Sequence, residues 1–248
     1  MEKTKISCVM PCRNRDDIIG ETIQSIVNQT YKNWELIIID DHSDPSDKTD
    51  KVIKKFADKR IKFYRLDDKY GKAISSARNF GNMLASGEYI ALQDSDDLSY
   101  NYRFEMTLEA FEKYKADVVY GDMDFWYPET GEVKKRTGNF AARDFSIKDF
   151  KKIDFIPNSA SSYKKVLAVD FPYNTFFRVA EDYDFFSRLV KYKYKFHFVN
   201  KSFIKYRVHE KSITKSSKYQ FNYGHLVKYN RGWQSNPPEM HSSGNFLI

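Results

Sequence analysis

Clusters of carboxylates lie directly after two predicted β-strands of this 248-residue chain. The first cluster is Asp40-Asp41-His42-Ser43-Asp44, and the second is Asp94-Ser95-Asp96-Asp97. Residues two apart on an extended segment share a face, so Asp94 and Asp96 can point at one ligand together. Neighbouring carboxylates repel each other unless a cation or hydrogen-bond donors neutralise them, and oxygen ligands suit Mg²⁺ or Mn²⁺. One acidic turn more often caps a helix or faces solvent, but two such clusters together favour a cation site.

Short β-rich segments alternate with amphipathic helical segments over about the first 120 residues. Strands are predicted at 6–10, 34–40, 61–66, 88–93 and 117–120, and helices near 18–27, 47–56, 72–86 and 101–115. Gly87 is predicted to cap the C-terminus of the third helix. This alternation implies right-handed βαβ crossovers and a mostly parallel α/β sheet flanked by helices. Ligands bind such sheets beyond the carboxyl ends of the strands, which is where both acidic clusters fall.

The second half of the chain has a less regular pattern. A β-hairpin is predicted at 124–135, a helix at 181–192, and strands near 195–199 and 203–208. No repeat or linker is evident. We therefore expect one domain over residues 1–215, with two halves that meet near residue 121, and a tail at 216–248 that packs on the domain.

The composition predicts a folded protein of a reducing compartment. Hydrophobic residues make up 41% and aromatic residues 17% of the chain, enough for a sizeable core. No apolar run approaches the about 18–20 residues of a membrane span, and the N-terminus lacks a signal-peptide pattern. The two cysteines, Cys8 and Cys12, are too few for a disulfide framework or a zinc site. We therefore expect a cytoplasmic location.

The net charge of +7 is concentrated near the C-terminus. Residues 191–248 contain 11 Lys and Arg side chains and two acidic ones, whereas residues 1–190 are slightly acidic. A basic segment of this kind suits an anionic partner, such as nucleic acid, an anionic lipid leaflet or a phosphate-bearing substrate. A solvated basic face without a partner is the alternative.

Several nucleotide-binding and hydrolase motifs are absent from the sequence. There is no Gly-x-Gly-x-x-Gly after the first strand and no P-loop, which argues against a dinucleotide-binding Rossmann enzyme and a P-loop NTPase. The Gly-x-Ser-x-Gly elbow of α/β-hydrolases is also absent.

Six motifs in order along the chain carry a family resemblance. They are Pro11-Cys12-Arg13-Asn14, Asp40-Asp41-His42-Ser43, Ala77-Arg78-Asn79-Phe80-Gly81, Gly87-Glu88-Tyr89-Ile90 leading to Asp94-Ser95-Asp96-Asp97, Glu181-Asp182-Tyr183-Asp184-Phe185, and Tyr206-Arg207-Val208-His209-Glu210-Lys211-Ser212-Ile213-Thr214. Together they resemble family 2 glycosyltransferases of the GT-A fold. The chain departs from the family pattern at Arg13, where many relatives carry Tyr, and at His42, where Gly is common. The resemblance implies a Rossmann-like sheet with a nucleotide-sugar-binding half at 1–121 and a smaller acceptor-side half at 122–215.

The resemblance implies donor-binding roles for residues near three strand ends. Asp41 would accept a hydrogen bond from the imide N–H of uracil, and Pro11 and Arg13 would flank the base and ribose. Arg78 would reach the ribose or phosphate, and Asp94 the ribose or donor sugar. The alternative for Asp41 is a helix N-cap, and for Arg78 an ion pair with a strand-end aspartate.

The resemblance also implies a general base. Asp182 would take the proton from the acceptor hydroxyl, and Glu181 and Asp184 would support acceptor orientation. Acidic residues are common in the first turn of helices, where backbone N–H groups favour anions. The assignment of Asp182 therefore depends on the motif.

The metal ligands implied by the resemblance are Asp96 and His209. They would hold Mn²⁺ or Mg²⁺ on the donor diphosphate, and Arg207 and Ser212 are weaker candidates for the same region. By itself, a histidine such as His209 is more often a buried or surface residue than a ligand.

The function implied is a metal-dependent, inverting hexosyltransferase. It would move a sugar from a UDP-sugar to a hydroxyl of a surface glycan, a lipid-linked saccharide or a polyol-phosphate polymer. Peripheral contact with an anionic membrane, on its cytoplasmic face, is expected through the basic C-terminal quarter. Two alternatives are a sugar-nucleotide nucleotidyltransferase, which would usually have a Gly-rich basic loop after the first strand, and a nucleic-acid-binding module, which the pI of about 9.1 suggests.

Overall fold

A computed structural model describes residues 4–209, 227–228 and 230–233. The helices and strands, in chain order, are β1 (Ile6–Cys12), α1 (Ile19–Val27), β2 (Trp34–Asp40), α2 (Thr49–Ile53), β3 (Ile61–Arg65), α3 (Ile74–Leu84), β4 (Tyr89–Leu92), β5 (Leu98–Ser99), α4 (Arg103–Tyr114), β6 (Val118–Tyr127), β7 (Glu132–Lys135), α5 (Ile147–Phe150), β8 (Ser161–Lys164), α6 (Lys165–Asp170), α7 (Glu181–Lys191) and β9 (Phe196–Arg207). In this part of the chain no helix is long and apolar enough to span a bilayer.

One nine-stranded sheet organises the protein, in the order β3-β2-β1-β4-β8-β6-β9-β5, with β7 paired to β6. Strands β1, β2, β3 and β4 are mutually parallel, and the antiparallel strand β8 joins β4 to the parallel pair β6 and β9. The predicted mostly parallel sheet flanked by helices is therefore confirmed.

The buried strands form because their apolar side chains fill both faces of the sheet. All seven residues of β2 are buried, and successive side chains point to opposite faces. Ile37 and Ile39 belong to the core cluster that contains Phe185 and Leu189 of α7. Leu36 and Ile38 belong to the cluster on the other face, together with residues of α1 and α4. The sheet is thus held rigidly between two helical layers, and its strand ends are fixed in position.

Two predictions about local structure were wrong. Gly87 does not cap α3, because the cap position is Ala85. Gly87 is required for a close approach instead, since a Cβ there would lie 2.5 Å from the carbonyl oxygen of Lys5. The strands predicted near 195–199 and 203–208 are one strand, β9, whose pairing with β6 shifts register opposite 120–123. The predicted hairpin is confirmed, but its first strand is continuous with the strand that was predicted separately at 117–120.

Part of the predicted tail contacts the domain. The Arg231 guanidinium pairs with Asp184 at 2.5 Å, and the Trp233 ring lies 6.2 Å from those of Phe150 and Tyr183. The remaining tail residues lie outside the described part of the chain.

Candidate active site

The carboxyl ends of β1, β2 and β4 meet at one edge of the sheet because these strands are parallel neighbours. Cys12 at the end of β1 is in register with Asp40 at the end of β2. The turn after β1 is tied to the turn after β2, since the Asn14 side chain bonds both the carboxylate and the backbone N–H of Asp44, at 2.7 and 2.8 Å. The topology therefore brings both acidic clusters of the sequence to one place.

The two aspartates that end β2 have different roles. Asp40 is buried and accepts bonds from the Ser43 N–H at 3.0 Å and the Ser43 hydroxyl at 2.5 Å, so it shapes the turn. Asp41 is 13% exposed, and one of its oxygens lies 3.0 Å from His42 Nδ1. His42 has a φ of 59°, and its Nε2 lies 2.8 Å from Asp68. Asp41 caps no helix, because α2 begins only at Thr49, so its carboxylate remains available to a ligand.

The Asp94-Ser95-Asp96-Asp97 turn directs its three carboxylates to different partners. Asp94 pairs with Arg78 at 3.2 Å, whereas Asp96 lies 3.2 Å from the Arg15 guanidinium and 3.3 Å from His209 Nε2. Asp97 is buried and accepts a bond from the Arg207 N–H at 3.0 Å. Burial raises the pKa of Asp97 well above its ordinary value, and the nearby charge of Asp96 adds to the effect. Hydrogen-bond donors thus offset part of the repulsion that the sequence implied.

Arg78 connects the two halves of the site. Its buried guanidinium pairs with Asp94 on the β4 side and with Glu181 at the start of α7, and it lies 5.5 Å from the centre of the Tyr173 ring. Burial by itself would lower the pKa of Arg78, but the charges of Glu181 and Asp94 outweigh it and raise that pKa. The predicted ion pair with a strand-end aspartate is therefore present, and the second pair, to Glu181, ties the start of α7 to the β4 side of the site.

Asp182 lies in the first turn of α7, after Ala180, whose φ of 60° turns the chain into the helix. Its carboxylate accepts a bond from the Tyr183 N–H at 2.8 Å. Burial, with the adjacent charge of Glu181, raises the pKa of Asp182 to about 7. A general base works best when its pKa lies near the operating pH. Asp182 is therefore the carboxylate in this site best suited to accept a proton.

Asp184, two residues further along α7, has a different environment. It is buried and pairs with Arg188 at 2.9 Å and with Arg231 at 2.5 Å. One oxygen is therefore engaged within α7 and the other holds α7 to the tail, which disfavours the predicted acceptor role.

Of the remaining predicted residues, Pro11 is buried within β1 and Arg13 is exposed on the turn that follows. Arg207 is buried, its backbone N–H bonds Asp97, and its guanidinium bonds the Asp96 carbonyl at 2.8 Å. It therefore supports the acidic turn. Ser212 lies outside the described residues.

The sequence patterns missed Arg15 and Asp154. Arg15 reaches Asp96, although the motif pointed to Arg13. Asp154 follows α5, and burial raises its pKa well above the ordinary value, with the charge of Asp182 next in effect. Arg136 supports this segment through a bond to the Phe155 carbonyl at 2.9 Å. Arg15 could have been considered as the second basic residue of the turn, but no sequence signal marks Asp154.

The residues present fit a divalent cation that the substrate helps to hold. Asp96 and His209, 3.3 Å apart, would provide one oxygen and one nitrogen ligand. Within the described ranges no group of three or more His, Cys, Asp or Glu side chains forms a complete metal cage. Mg²⁺ is typically bound by one or two carboxylates together with substrate phosphates. A cation at Asp96 would therefore take its further ligands from a diphosphate, and Arg15 would have to share the carboxylate.

Comparison with solved structures identifies the fold. The chain superposes on S. aureus TarS 1-349 in complex with UDP-GlcNAc with a TM-score of 0.74 and 18% identity, covering 94% of this chain and 67% of that one. It is also similar to a second structure of S. aureus TarS 1-349, with a TM-score of 0.70 and 17% identity over 94% of this chain and 66% of that one. The fold is therefore that of the glycosyltransferase TarS.

Comparison of sequences finds relatives with higher identity to this chain than the solved structures have. It is 37% identical over 124 residues to UDP-Glc:alpha-D-GlcNAc-diphosphoundecaprenol beta-1,3-glucosyltransferase WfgD of Escherichia coli, covering 50% of this chain and 47% of WfgD. It is 37% identical over 119 residues to poly(ribitol-phosphate) beta-N-acetylglucosaminyltransferase TarP of Staphylococcus aureus, covering 47% of this chain and 36% of TarP. The matches thus span about half or less of these two relatives. The family model described as Glycosyl transferase family 2 matches residues 7–180, and the chain therefore belongs to that family.

Proposed function

We propose that this protein transfers a sugar from a UDP-sugar to an acceptor hydroxyl, with inversion at the anomeric carbon. The observation that carries the proposal is the position of Asp182, whose pKa is raised to about 7, beside Glu181, which pairs with the same Arg78 that holds Asp94. A proton acceptor thus lies next to the strand ends where α/β sheets bind nucleotides.

The reaction requires one displacement. The acceptor oxygen attacks the anomeric carbon while its proton passes to a carboxylate oxygen of Asp182, and the bond from that carbon to the diphosphate breaks. The Arg78 pair keeps Glu181 and Asp94 fixed, so Asp182 is presented to the acceptor by a rigid helix start. Asp94, with a 33% exposed side chain, is placed to contact the ribose or donor sugar.

Donor recognition is assigned to the turns after β1 and β2. Asp41 accepts from the uracil imide, with His42 Nδ1 beside its carboxylate at 3.0 Å. Arg15 provides a cation beside Asp96, where the diphosphate would lie. Arg13 and Pro11 remain candidates to flank the base and ribose.

Asp96 and His209 would hold Mn²⁺ or Mg²⁺. When bound, the ion would neutralise charge on the leaving diphosphate.

For the acceptor we propose a lipid-linked saccharide or a polyol-phosphate polymer, since the names of WfgD and TarP describe acceptors of these two kinds. We also propose a peripheral position on the cytoplasmic face of a membrane. The free, buried Cys8 and Cys12 are compatible with a reducing compartment, and Lys191, Lys193 and Lys195 of the basic quarter are exposed.

A panel of UDP-, GDP- and dTDP-sugars tests the proposal. Wild-type protein with Mn²⁺ should release UDP from one or a few UDP-sugars, and EDTA should abolish this release reversibly. Asp96→Ala should remove both the activity and the Mn²⁺-dependent gain in UDP affinity measured by calorimetry. Glu109→Ala, a change at an exposed acid of α4, should preserve both. Release from GDP- or dTDP-sugars alone would contradict the UDP assignment, and full activity in EDTA would contradict the metal assignment.

A further inference from the structure

The amino edge of the sheet, opposite the candidate active site, carries two exposed segments rich in Lys and Tyr. The junction of α4 with β6 contains Lys113-Tyr114-Lys115, and the junction of α7 with β9 contains Lys191-Tyr192-Lys193-Tyr194-Lys195. The segments are adjacent because β6 and β9 are parallel neighbours, with Val118 in register with Phe196. All five lysines are exposed. We call these five lysines the basic rim.

Apolar side chains project at the same edge. The antiparallel β8 ends beside the starts of β4 and β6, and α6 follows at once with Val166 54% and Val169 66% exposed. Tyr192 on the rim is 63% exposed. Asp117 links the end of β8 to the rim, since its carboxylate accepts bonds from Lys164 Nζ at 2.7 Å and from the N–H of Lys195 at 2.9 Å. The valines, which line a groove together with Lys164, therefore lie at the same edge of the sheet as the basic rim.

A groove of about 710 Å³ opens at this surface. Its walls include the apolar side chains of Phe145, Ile147, Val190 and Phe196, and Ile147 is itself 49% exposed. This edge of the sheet therefore offers concave apolar surface beside its positive charge.

The charge of the surface is positive and largely unpaired. Among the described residues, no ion pair joins a lysine of the basic rim to a carboxylate, and Asp117 is already engaged by Lys164. Four other exposed acids lie near this edge, namely Glu88, Glu112, Asp144 and Asp170. The five rim lysines outnumber them, so the surface complements a negatively charged partner.

We propose that this edge docks on an anionic lipid bilayer. A bilayer interface accepts both parts of the surface, because lysines lie near the lipid phosphates while tyrosine and valine side chains enter the region of the headgroups. A hydrophilic polyanion would neutralise the lysines but would leave Val166, Val169 and Tyr192 in water. The apolar component therefore favours a membrane over a soluble polymer.

Docking by the amino edge sets how far the candidate active site lies from the bilayer. The seven-residue β1 spans about 23 Å at 3.3 Å per residue, and the candidate active site lies beyond its far end. A protein docked by the amino edge thus holds its site roughly this distance from the bilayer, facing away from it. This docking specifies which face makes the membrane contact proposed above. It also selects acceptors that extend beyond the headgroups, and this selection rests on the proposed transfer reaction.

Vesicle co-sedimentation tests the proposal without donor or acceptor, so its outcome is independent of the transfer assay. The vesicles are phosphatidylglycerol in phosphatidylcholine, or phosphatidylcholine alone, at low salt and at about 0.5 M salt, where screening is strong. The variants are a triple change at the rim (Lys191, Lys193 and Lys195 to Gln) and Val166→Ser with Val169→Ser. The matched control changes Lys51, Lys54 and Lys55, three exposed lysines in and just after α2, to Gln.

We expect binding to anionic vesicles only, weakened by salt. The rim variant should lose about 100-fold in partitioning, as expected for three lysines near an anionic surface, and the valine variant about tenfold, while the control stays near wild type. Equal loss in the control, or no binding by wild type, would overturn the proposal. The proposal would also be overturned if the valine variant bound vesicles like wild type while the rim variant lost binding to both vesicles and soluble polyphosphate. That result would assign the surface to polyanions.

Discussion

Replacement of Asp182 by Asn separates the chemistry of the proposed base from its structural role. Asn keeps the size of the side chain and can still accept a bond from the Tyr183 N–H, but it cannot take up the acceptor proton. We expect kcat to fall by about 10²–10⁴, the range typical of positioned general bases. The affinity for UDP should change little, since Asp182 contacts the acceptor side. For wild type, kcat/KM should rise with pH through about 7, because the pKa of Asp182 is raised to about 7.

The same substitution should stabilise the protein. Burial raises the pKa of Asp182 from 3.8 to about 7, so the folded protein holds this proton more tightly than the unfolded chain. Stability is therefore lost as pH rises from about 4 to about 7, and the full penalty remains above pH 7. At 1.36 kcal/mol per pH unit, the penalty is about 2 kcal/mol at pH 5 and about 4 kcal/mol at pH 8. Because Asn resembles the neutral acid, Asp182→Asn should recover these amounts.

Thermal unfolding at the two pH values measures this gain. The melting temperature of Asp182→Asn should exceed that of wild type by about 8 °C at pH 8 and by about half as much at pH 5, at roughly 2 °C per kcal/mol. Asp184→Asn is the matched control on the same helix. It should lower the melting temperature at both pH values, because it weakens the buried pairs with Arg188 and Arg231. Normal transfer by Asp182→Asn would refute its role as base, and an unchanged or lower melting temperature at pH 8 would refute the argument from burial.

Three further predictions concern donor binding and packing. Arg15→Met should weaken UDP binding by about tenfold or more in calorimetry through loss of a charged contact, and Arg13→Met should have a smaller effect; the reverse order would show that the motif position carries the contact. His42→Ala should raise the Kd for UDP several-fold with little change in kcat, because it frees the carboxylate of Asp41, and an unchanged Kd would remove this positioning role. Gly87→Ala should destabilise the fold by about 1–3 kcal/mol in chemical denaturation, since its Cβ would meet the Lys5 carbonyl, whereas Gly20→Ala in α1 should be neutral or stabilising; equal effects would contradict the packing argument.

Much of the fold could be predicted because its strands are short, continuous apolar runs. The run Leu36-Ile37-Ile38-Ile39 within 34–40 has no polar interruption, which favours a strand buried on both faces. The strand ends then place Asp41 and Asp94 on one edge, and the family resemblance adds Asp182 at a helix start. By contrast, the antiparallel β8 was missed, since its sequence Ser-Ser-Tyr-Lys carries no apolar run.

The site residues that sequence reasoning missed depend on geometry that local patterns do not encode. Arg15 rather than Arg13 reaches Asp96 because Asn14, with a φ of 51°, turns the chain after β1. Asp184 seemed to belong with Asp182 by proximity along the helix, but its partner Arg231 is 47 residues away in the sequence. Asp154 becomes unusual only through long-range burial near Asp182.

The anomeric configuration of the released sugar tests the central claim most directly. Wild-type protein is given an α-linked UDP-sugar from the active part of the donor panel, with water as the acceptor, and the product is followed by proton NMR before mutarotation. A single displacement with Asp182 as base predicts that the β-anomer forms first and that Asp182→Asn forms it at least about 100-fold more slowly. Initial release of the α-anomer, or equal rates for the two proteins, would contradict the account.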